Sequence, residues 1–392
     1  MIVMVSLSIL APIIANDRPL LIWNEQTFDS PALFPEGSTT LYFDQQEIKL
    51  VNKHYNWKKD TLFNKLFAPI PWSPIKSDNN NANYSGPSDI QYALGNDGTR
   101  YELSGSRRHL LGTSRRGEDV LSGLIHGTRI SLMVGFFSMF ITGFIGIFLG
   151  SLAGYFGDKG VRINISMIIF SLILLIPYLF YASQPWNDGF SFLMFLIVTI
   201  IYILVVKFGG RIVHSIAPDS NEVHLPLDSV ISRLIEILVS VPRLIIIIIL
   251  AAIFTPSVVS LILIIGLTSW TEVARLTRAE MLKARELEYM EAARVSGTGI
   301  WRQIFRHALP NVITPALVML TFGVSAAILT EAGLSFLGIG VPHDVVTWGS
   351  LLAAGKDNMN AWWLVLFPGA ALFATVYLFN MTGEALRERL RR

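Results

Sequence analysis

From Ile130 to Gly157 the chain carries not one charged side chain. The same holds for Ile163–Asn187, Gly189–Val206 and Leu244–Thr271. A bilayer core roughly 30 Å thick needs about 20 apolar residues per helix, and a helix there satisfies its own backbone groups. Four such runs in one chain predict an all-α polytopic membrane protein. Val312–Leu329 and Ala361–Thr382 are later apolar stretches, and Met1–Ala15 is a short one. The last lacks the basic lead and the A-x-A-like cleavage site of a signal peptide. It reads as a first transmembrane helix whose start is truncated.

The charge that is present is unevenly spread. Residues 16–127 hold 25 of the 31 basic and 29 acidic side chains together. This stretch reads as a small folded α+β insert. Thr39–Phe43 and Glu47–Val51 alternate apolar and polar residues around Asp44, a hairpin signal. Thr113 or Ser114 caps a short helix on which Val120, Leu121, Leu124 and Ile125 share a face, as on an interfacial helix. A soluble helix packed on its own domain is the alternative. The helix leads into a span that starts near Arg129. His54 and His109 are isolated and read as surface histidines. The absence of cysteine removes disulfides, Cys-bound zinc, iron–sulfur clusters and thiol catalysis. A net charge of +2 gives no polybasic character for nucleic acid.

Lysine and arginine set the orientation, because short loops rich in them stay in the cytoplasm. Residues 275–306 hold Arg275, Arg278, Lys283, Arg285, Arg294, Arg302 and Arg306, and the tail 385–392 adds four arginines. The 157–162 and 207–233 segments are also basic. All read as cytoplasmic, and 16–127 as external. The 234–274 stretch has basic flanks, so it crosses an even number of times. It reads as two helices, 235–254 and 257–274, with Glu236 and Arg243 on one face of the first and Pro242 kinking it. Intramembrane charges face protein or water rather than lipid. The count is eight crossings: 1–15, 129–156, 163–183, 189–206, 235–254, 257–274, 312–332 and 362–382.

In the basic stretch, Leu276–Ser296 favours helix and Gly297 stops it. Ile300–Leu309 forms a second short helix that ends at Pro310. Glu291, Ala292, Ala293 and Gly297 place small residues near a sharp helix end, where a partner surface can approach closely. An ordinary cytoplasmic loop fits the composition equally well. The stretch EAARVSGTGIWRQIFRHALPNV, residues 291–312, resembles the EAA motif of permease subunits in ABC importers. LLGTSRRGEDVLSGLIHGTRISLMVG, which contains Gly112, Thr113, Gly117, Asp119 and Arg129, is similar to the signature that precedes the second helix in the dipeptide/oligopeptide (peptide/nickel) branch, C-type subunit. ILTEAGLSFLGIGV followed by Thr347-Trp348-Gly349 is similar to another. IANDRPLL, residues 14–21, is similar to the subgroup that handles microcin C and related peptides.

The resemblance implies a type I ABC importer transmembrane fold within 128–384. It implies half of a channel for peptides, shared with a second homologous permease. Two cytoplasmic ATPases and an external binding protein complete it. Glu291, Ala292, Ala293 and Gly297, with Leu309 and Pro310, then belong to the ATPase-docking loop at 275–311. Relative to that pattern, Glu118 replaces an arginine and the external insert is long. Residues 160–227 add a two-helix hairpin to the six core helices. The chain has no G-x-x-x-x-G-K-[ST] and no hydrolase or metalloprotease motif. It is therefore expected to be no enzyme and to need no cofactor or metal of its own, with ATP bound by partner subunits in a bacterial inner membrane. Glu331 with Ser335, and Glu236 with Arg243, are candidates for the pathway or gate. Glu331 alternatively bonds a neighbouring helix. A nickel-chelate or other solute importer of the same branch is one rival reading. An ion-coupled secondary transporter is another, and it would need internal repeats.

Overall fold

The structure is a computed structural model. It describes residues 2–158, 160–164, 197–202 and 222–391, without 24–27, 34–37, 44–45, 52–56, 59–63, 95–98 and 343, and with the single positions 174 and 205. Most of these residues are helical. Among the described residues four helices are long and apolar enough to cross a membrane: α2 (Val120–Phe156), α5 (Val258–Ala284), α7 (Ile300–Phe336) and α9 (Trp363–Arg391). A fifth span is available if α3 (Leu227–Val239) and α4 (Arg243–Ile253) act as one broken helix. The short helices are α1 (Ile2–Ile14), α6 (Glu288–Val295) and α8 (Trp348–Gly355). At 13 residues, α1 reaches about 20 Å, less than the roughly 30 Å core. Of the expected hairpin at 163–206, residues 163–164 are strand rather than helix, 197–202 are helical, and the rest, apart from the single positions 174 and 205, lies outside the described residues.

Four expected boundaries are corrected. No separate interfacial helix precedes Arg129, because α2 runs unbroken from Val120. Its cap is Asp119, not Thr113 or Ser114: the Asp119 carboxylate accepts from Ser122 N–H at 2.6 Å. The helix expected over 235–254 is broken between Val239 and Arg243, where Pro242 stands at the N-cap of α4. Proline lacks the N–H that a continuous ladder needs there, so Glu236 and Arg243 do not share one helix. The helix expected over Leu276–Ser296 is interrupted at Arg285–Leu287 and resumes as α6. Pro310 does not end a helix. The ladder opens into a π-turn at Gln303–Ala308, which absorbs the hydrogen bond and space that proline denies. The helix then continues to Phe336.

Among its described residues the polar segment holds seven short strands: β1 (Pro19–Trp23), β2 (Phe28–Asp29), β3 (Ser38–Phe43), β4 (Gln46–Val51), β5 (Asn64–Phe67), β6 (Tyr92–Leu94) and β7 (Arg100–Glu102). They form one antiparallel sheet, β2-β1-β5, and two hairpins, β3-β4 and β6-β7. The hairpin expected near residue 44 is present, with Thr39 opposite Leu50 and Leu41 opposite Ile48. Single 3-10 turns lie at Asn79–Asn81 and Gly105–Arg107. The helical part expected of this segment is the start of α2.

The chain divides into two compact units. The first comprises Met1–Ile147, Leu238–Ala274 and Ile313–Arg392. Its core packs Leu132 and Val134 of α2 against Ile247 of α4, Leu261 and Ile265 of α5, and Ile328 of α7. Small residues and hydroxyls let these helices touch, as in lipid, where no hydrophobic force separates helix from acyl chain. A Cβ on Gly146 would lie 2.9 Å from the Trp270 carbonyl oxygen. Nearby, Ser138 Oγ donates to Ile262 O at 3.2 Å and Thr142 Oγ1 to Gly266 O at 3.1 Å.

The second unit comprises Phe148–Ile237 and Arg275–Val312. Its core joins Tyr155 and Phe156 to Met281, Met290, Ile304 and Ala308. A two-stranded ribbon, β8 (Val161–Asn164) with β9 (Glu222–Leu225), belongs to it. Asp228 at the start of α3 pairs with the Arg278 guanidinium through both oxygens. Asp158, just past α2, accepts from Ser229 N–H at 2.8 Å and Ser229 Oγ at 2.9 Å.

Candidate functional site: a presented helix, a signature junction and a cleft

In the second unit, α6 is short and held from one side only. Met290 and Ala293 turn inward and are buried, while Glu291, Ala292, Arg294 and Gly297 are exposed. The helix ends in a Schellman arrangement. Thr298 N–H reaches Ala293 O at 3.2 Å and Gly297 N–H reaches Arg294 O at 3.0 Å. Gly297 has φ +72°, the left-handed conformation this motif requires and glycine adopts without a Cβ penalty. Gln303 fixes the turn beneath: it accepts from Tyr155 Oη at 2.5 Å and donates to Thr298 O at 2.5 Å. Around the exposed face stand Leu287, Val295, Ile300, Trp301 and Phe305, with Val295 84% exposed. Trp301 and Phe305 stack with ring centres 5.8 Å apart. Of the expected docking residues, Ala293 is corrected to a core position, Leu309 is half-buried and Pro310 is exposed. The apolar rim escaped the sequence reading because its members are spread over two helices.

The residues of the second motif form a junction at the start of α2, within the first unit. Gly117 has φ +80°, and a Cβ there would fall 2.1 Å from the Asp78 carbonyl oxygen. Thr113 Oγ1 donates to Asn81 O at 2.7 Å and accepts from Ser85 N–H at 3.0 Å. Gly112 packs its backbone on Ser85 and the Trp363 ring, whose Nε1 donates to Thr113 O at 3.1 Å. Arg129 is exposed on α2. His109 is not a surface residue: it is fully buried. Its Nδ1 lies 2.8 Å from Asp119 Oδ1 and its Nε2 3.4 Å from Asp78 Oδ2. Its ring packs on Trp72 at 3.9 Å between centres. Burial would push the imidazolium down, but the hydrogen bonds and charges of Asp119 and Asp78 outweigh it and hold His109 above the ordinary histidine value. Burial also opposes the Asp78 carboxylate, yet hydrogen bonds from His109, Asn81 and Asn80 hold it below the usual range.

The pathway candidates separate. Glu331 is fully enclosed. Its carboxyl accepts from Ser131 Oγ of α2 at 3.0 Å and from Ser335 Oγ at 2.8 Å. That is the neighbouring-helix alternative. The Thr347-Trp348-Gly349 motif closes this region. Thr347 forms a capping box with Ser350, Trp348 Nε1 donates to Leu124 O at 3.0 Å, and a Cβ on Gly349 would meet the Ala332 carbonyl oxygen at 2.4 Å. Glu236 is exposed on α3, paired with Arg233 at 2.7 Å. Arg243 alone of the four lines a cleft, which has a volume of about 200 Å³. Its other lining includes Glu272, Ser269, Met139, Met319 and Phe322. Glu272 was passed over because it falls just past the charge-free run that ends at Thr271, near the end of the expected 257–274 helix, and nothing local pairs it with Arg243. Among the described residues no group of three or more His, Asp or Glu side chains is arranged to hold a metal.

Comparison with known proteins agrees with the motifs. Residues 217–392 match the family "Binding-protein-dependent transport system inner membrane component". The Di/tripeptide transport system permease protein DppC of Pseudomonas aeruginosa is 31% identical over 287 residues, 73% of each chain. The Oligopeptide transport system permease protein OppC of Salmonella typhimurium is 38% identical over 165 residues, 42% of this chain and 55% of its own. The Peptidoglycan transport system permease protein YejE of Agrobacterium fabrum is 28% identical over 400 aligned positions, 97% of this chain and 85% of its own. The inward-facing MetNI methionine ABC transporter aligns with 69% of this chain and 97% of its own, at 16% identity and a TM-score of 0.41. The chain is thus a multi-pass membrane protein and belongs to the inner membrane components of binding-protein-dependent transport systems, the permeases of ABC importers.

Proposed function

We propose that this permease imports peptides or peptide-like solutes as one half of a translocation pathway, with a second homologous permease as the other half. An external binding protein delivers the solute and two cytoplasmic ATPases drive the cycle, binding the ATP that this chain has no motif to hold. The names of its relatives support the substrate class. The basic residues of 275–306 and of the tail support a cytoplasmic side for α6 and the C-terminus, with 16–127 external.

The observation that carries the reading is the form of α6. It is plugged into its own core by Met290, with Ala293 also buried, while Glu291, Ala292 and Gly297 stay exposed beside an apolar rim. A charge-flanked patch of this kind fits burial against another protein. Tight coupling through Gln303 and Tyr155 lets a push on α6 reach the ends of α2 and α7 as a rigid displacement. The test is ATP-dependent uptake by the reconstituted four-part complex with its binding protein. Labelled short peptides are expected to accumulate, and sugars or nickel chelates are not. Uptake of only the latter would overturn the peptide assignment and leave the permease assignment standing.

A further inference from the structure

The cleft of the first unit holds two opposite charges. Arg243 stands at the first turn of α4, with its guanidinium 3.5 Å from Ser269 Oγ on α5. Glu272 lies three residues after Ser269 on the same helix, hence on the same face and about 4.5 Å further along its axis. Both line the one cavity of about 200 Å³, and both are exposed in this chain. Among the described residues no ion pair joins them to each other or to a third side chain. Charges within apolar helices are costly to face toward lipid and face water or a solute path instead. The rest of the wall is adaptable and apolar: Met139, Met319 and Phe322. Methionine has three flexible bonds and a polarizable sulfur, so it fits side chains of varied shape.

We propose that this cleft is a solute subsite for short zwitterionic peptides, with Arg243 receiving the terminal carboxylate and Glu272 the terminal ammonium. Ser269 orients the guanidinium. The termini are the features all free peptides share, whereas side chains differ. Fixed opposite charges beside a pliable wall therefore select the class without selecting a sequence. The subsite rests on the peptide reading above, and it adds that the permease itself, not only the delivering protein, distinguishes free from blocked peptides.

The experiment compares uptake of a free tripeptide, its N-acetyl form and its C-terminal amide by the reconstituted complex. Three forms of the chain are used: unchanged, Arg243→Gln and Glu272→Gln. The binding protein is the same in all arms, so its own preference cancels in the comparison. In Arg243→Gln the preference for the free carboxylate over the amide should fall about tenfold, the discrimination one charge-assisted contact supplies. Its preference against the acetyl form should be unchanged. Glu272→Gln should show the reverse. The readout is a ratio, so a lower yield of inserted protein does not move it. Arg243→Lys and Glu272→Asp, which keep the charge, should restore most of each ratio. Unchanged ratios in both neutral variants would overturn the subsite while leaving peptide import intact. A complex that moves no peptide of any form would overturn the subsite together with the substrate class.

Discussion

Glu331 and Glu272 are both carboxyl groups on long apolar helices, and the fold treats them oppositely. Glu331 is sealed between α2 and α7 and satisfied by two serine hydroxyls. Glu272 opens onto a cleft that also holds Arg243. The same contrast recurs outside the apolar spans. His109 is enclosed between two aspartates at the head of α2, whereas α6 turns Glu291 and Gly297 outward. A polar group whose partners are all internal fastens elements together, since leaving it unpaired costs its full desolvation. A polar group left open keeps its bonding capacity for a solute or a partner. Sealed positions should therefore govern stability, and open ones transport.

The largest effect should come from an open position. Gly297→Trp should lower ATP-dependent uptake at least tenfold while the chain still inserts. The backbone strain of a Cβ at φ +72° is about 1–2 kcal/mol, and no other atom lies within 4 Å of that Cβ. The fold thus tolerates the ring, but the presented surface does not. Gly297→Ala isolates the strain and should retain most uptake. Full uptake by the tryptophan variant would remove α6 from the coupling path.

A sealed position comes next. His109→Ala removes the ring that bridges two aspartates, of which Asp119 is 1% exposed. Breaking such a buried pair costs about 3–5 kcal/mol, readable as a lower unfolding midpoint of the purified protein. A loss under about 1 kcal/mol, the range of a surface pair, would mean that the cluster does not fasten the polar segment to α2. Glu331→Ala should cost less, about 1–3 kcal/mol, because it orphans neutral hydroxyls rather than charges. Glu331→Gln keeps an acceptor and should cost little. Uptake per inserted molecule should be normal in both. A selective uptake defect at full stability would return Glu331 to the pathway and break the contrast.

The four long apolar helices, the polar segment, the β3-β4 hairpin and the end of α6 were legible in the sequence, because each is a local signal: a charge-free run, an alternation, a glycine where the chain must turn left-handed. What was not legible depends on contacts distant in sequence. His109 looks isolated because its partners Asp78 and Asp119 are 31 and 10 residues away. Glu331 reads equally as a pathway residue or as a bond to a neighbouring helix until Ser131, 200 residues earlier, is seen to meet it. The continuity of α7 through Pro310 was hidden because the compensation is a π-turn, which leaves no compositional mark. Ala293 belongs to the motif that resembles a docking surface, yet the helical period turns it inward with Met290, three positions before it.

The smallest effect is also the sharpest test of what the sealed cluster is. His109 is held above the ordinary histidine value of 6.5. Its contribution is therefore fully present below about pH 6.5 and is lost as pH rises through the raised folded value. Asp78 is held below its ordinary 3.8. Its contribution is present above that pH and is lost as pH falls through the depressed folded value. The stability of the unchanged protein relative to His109→Phe should thus be greatest between about pH 4 and 6.5 and shrink on either side. The measurement is the difference in unfolding midpoint between the two proteins across that range and up to pH 9. On the alkaline side the change should be a fraction of the His109→Ala loss, because the neutral ring still packs on Trp72 and keeps a hydrogen bond to Asp119. A difference that stays flat from pH 4 to pH 9 would mean that the ring is neutral throughout. The junction would then be fastened by shape and hydrogen bonding, with no ionic contribution to separate it from the hydroxyl-bound Glu331.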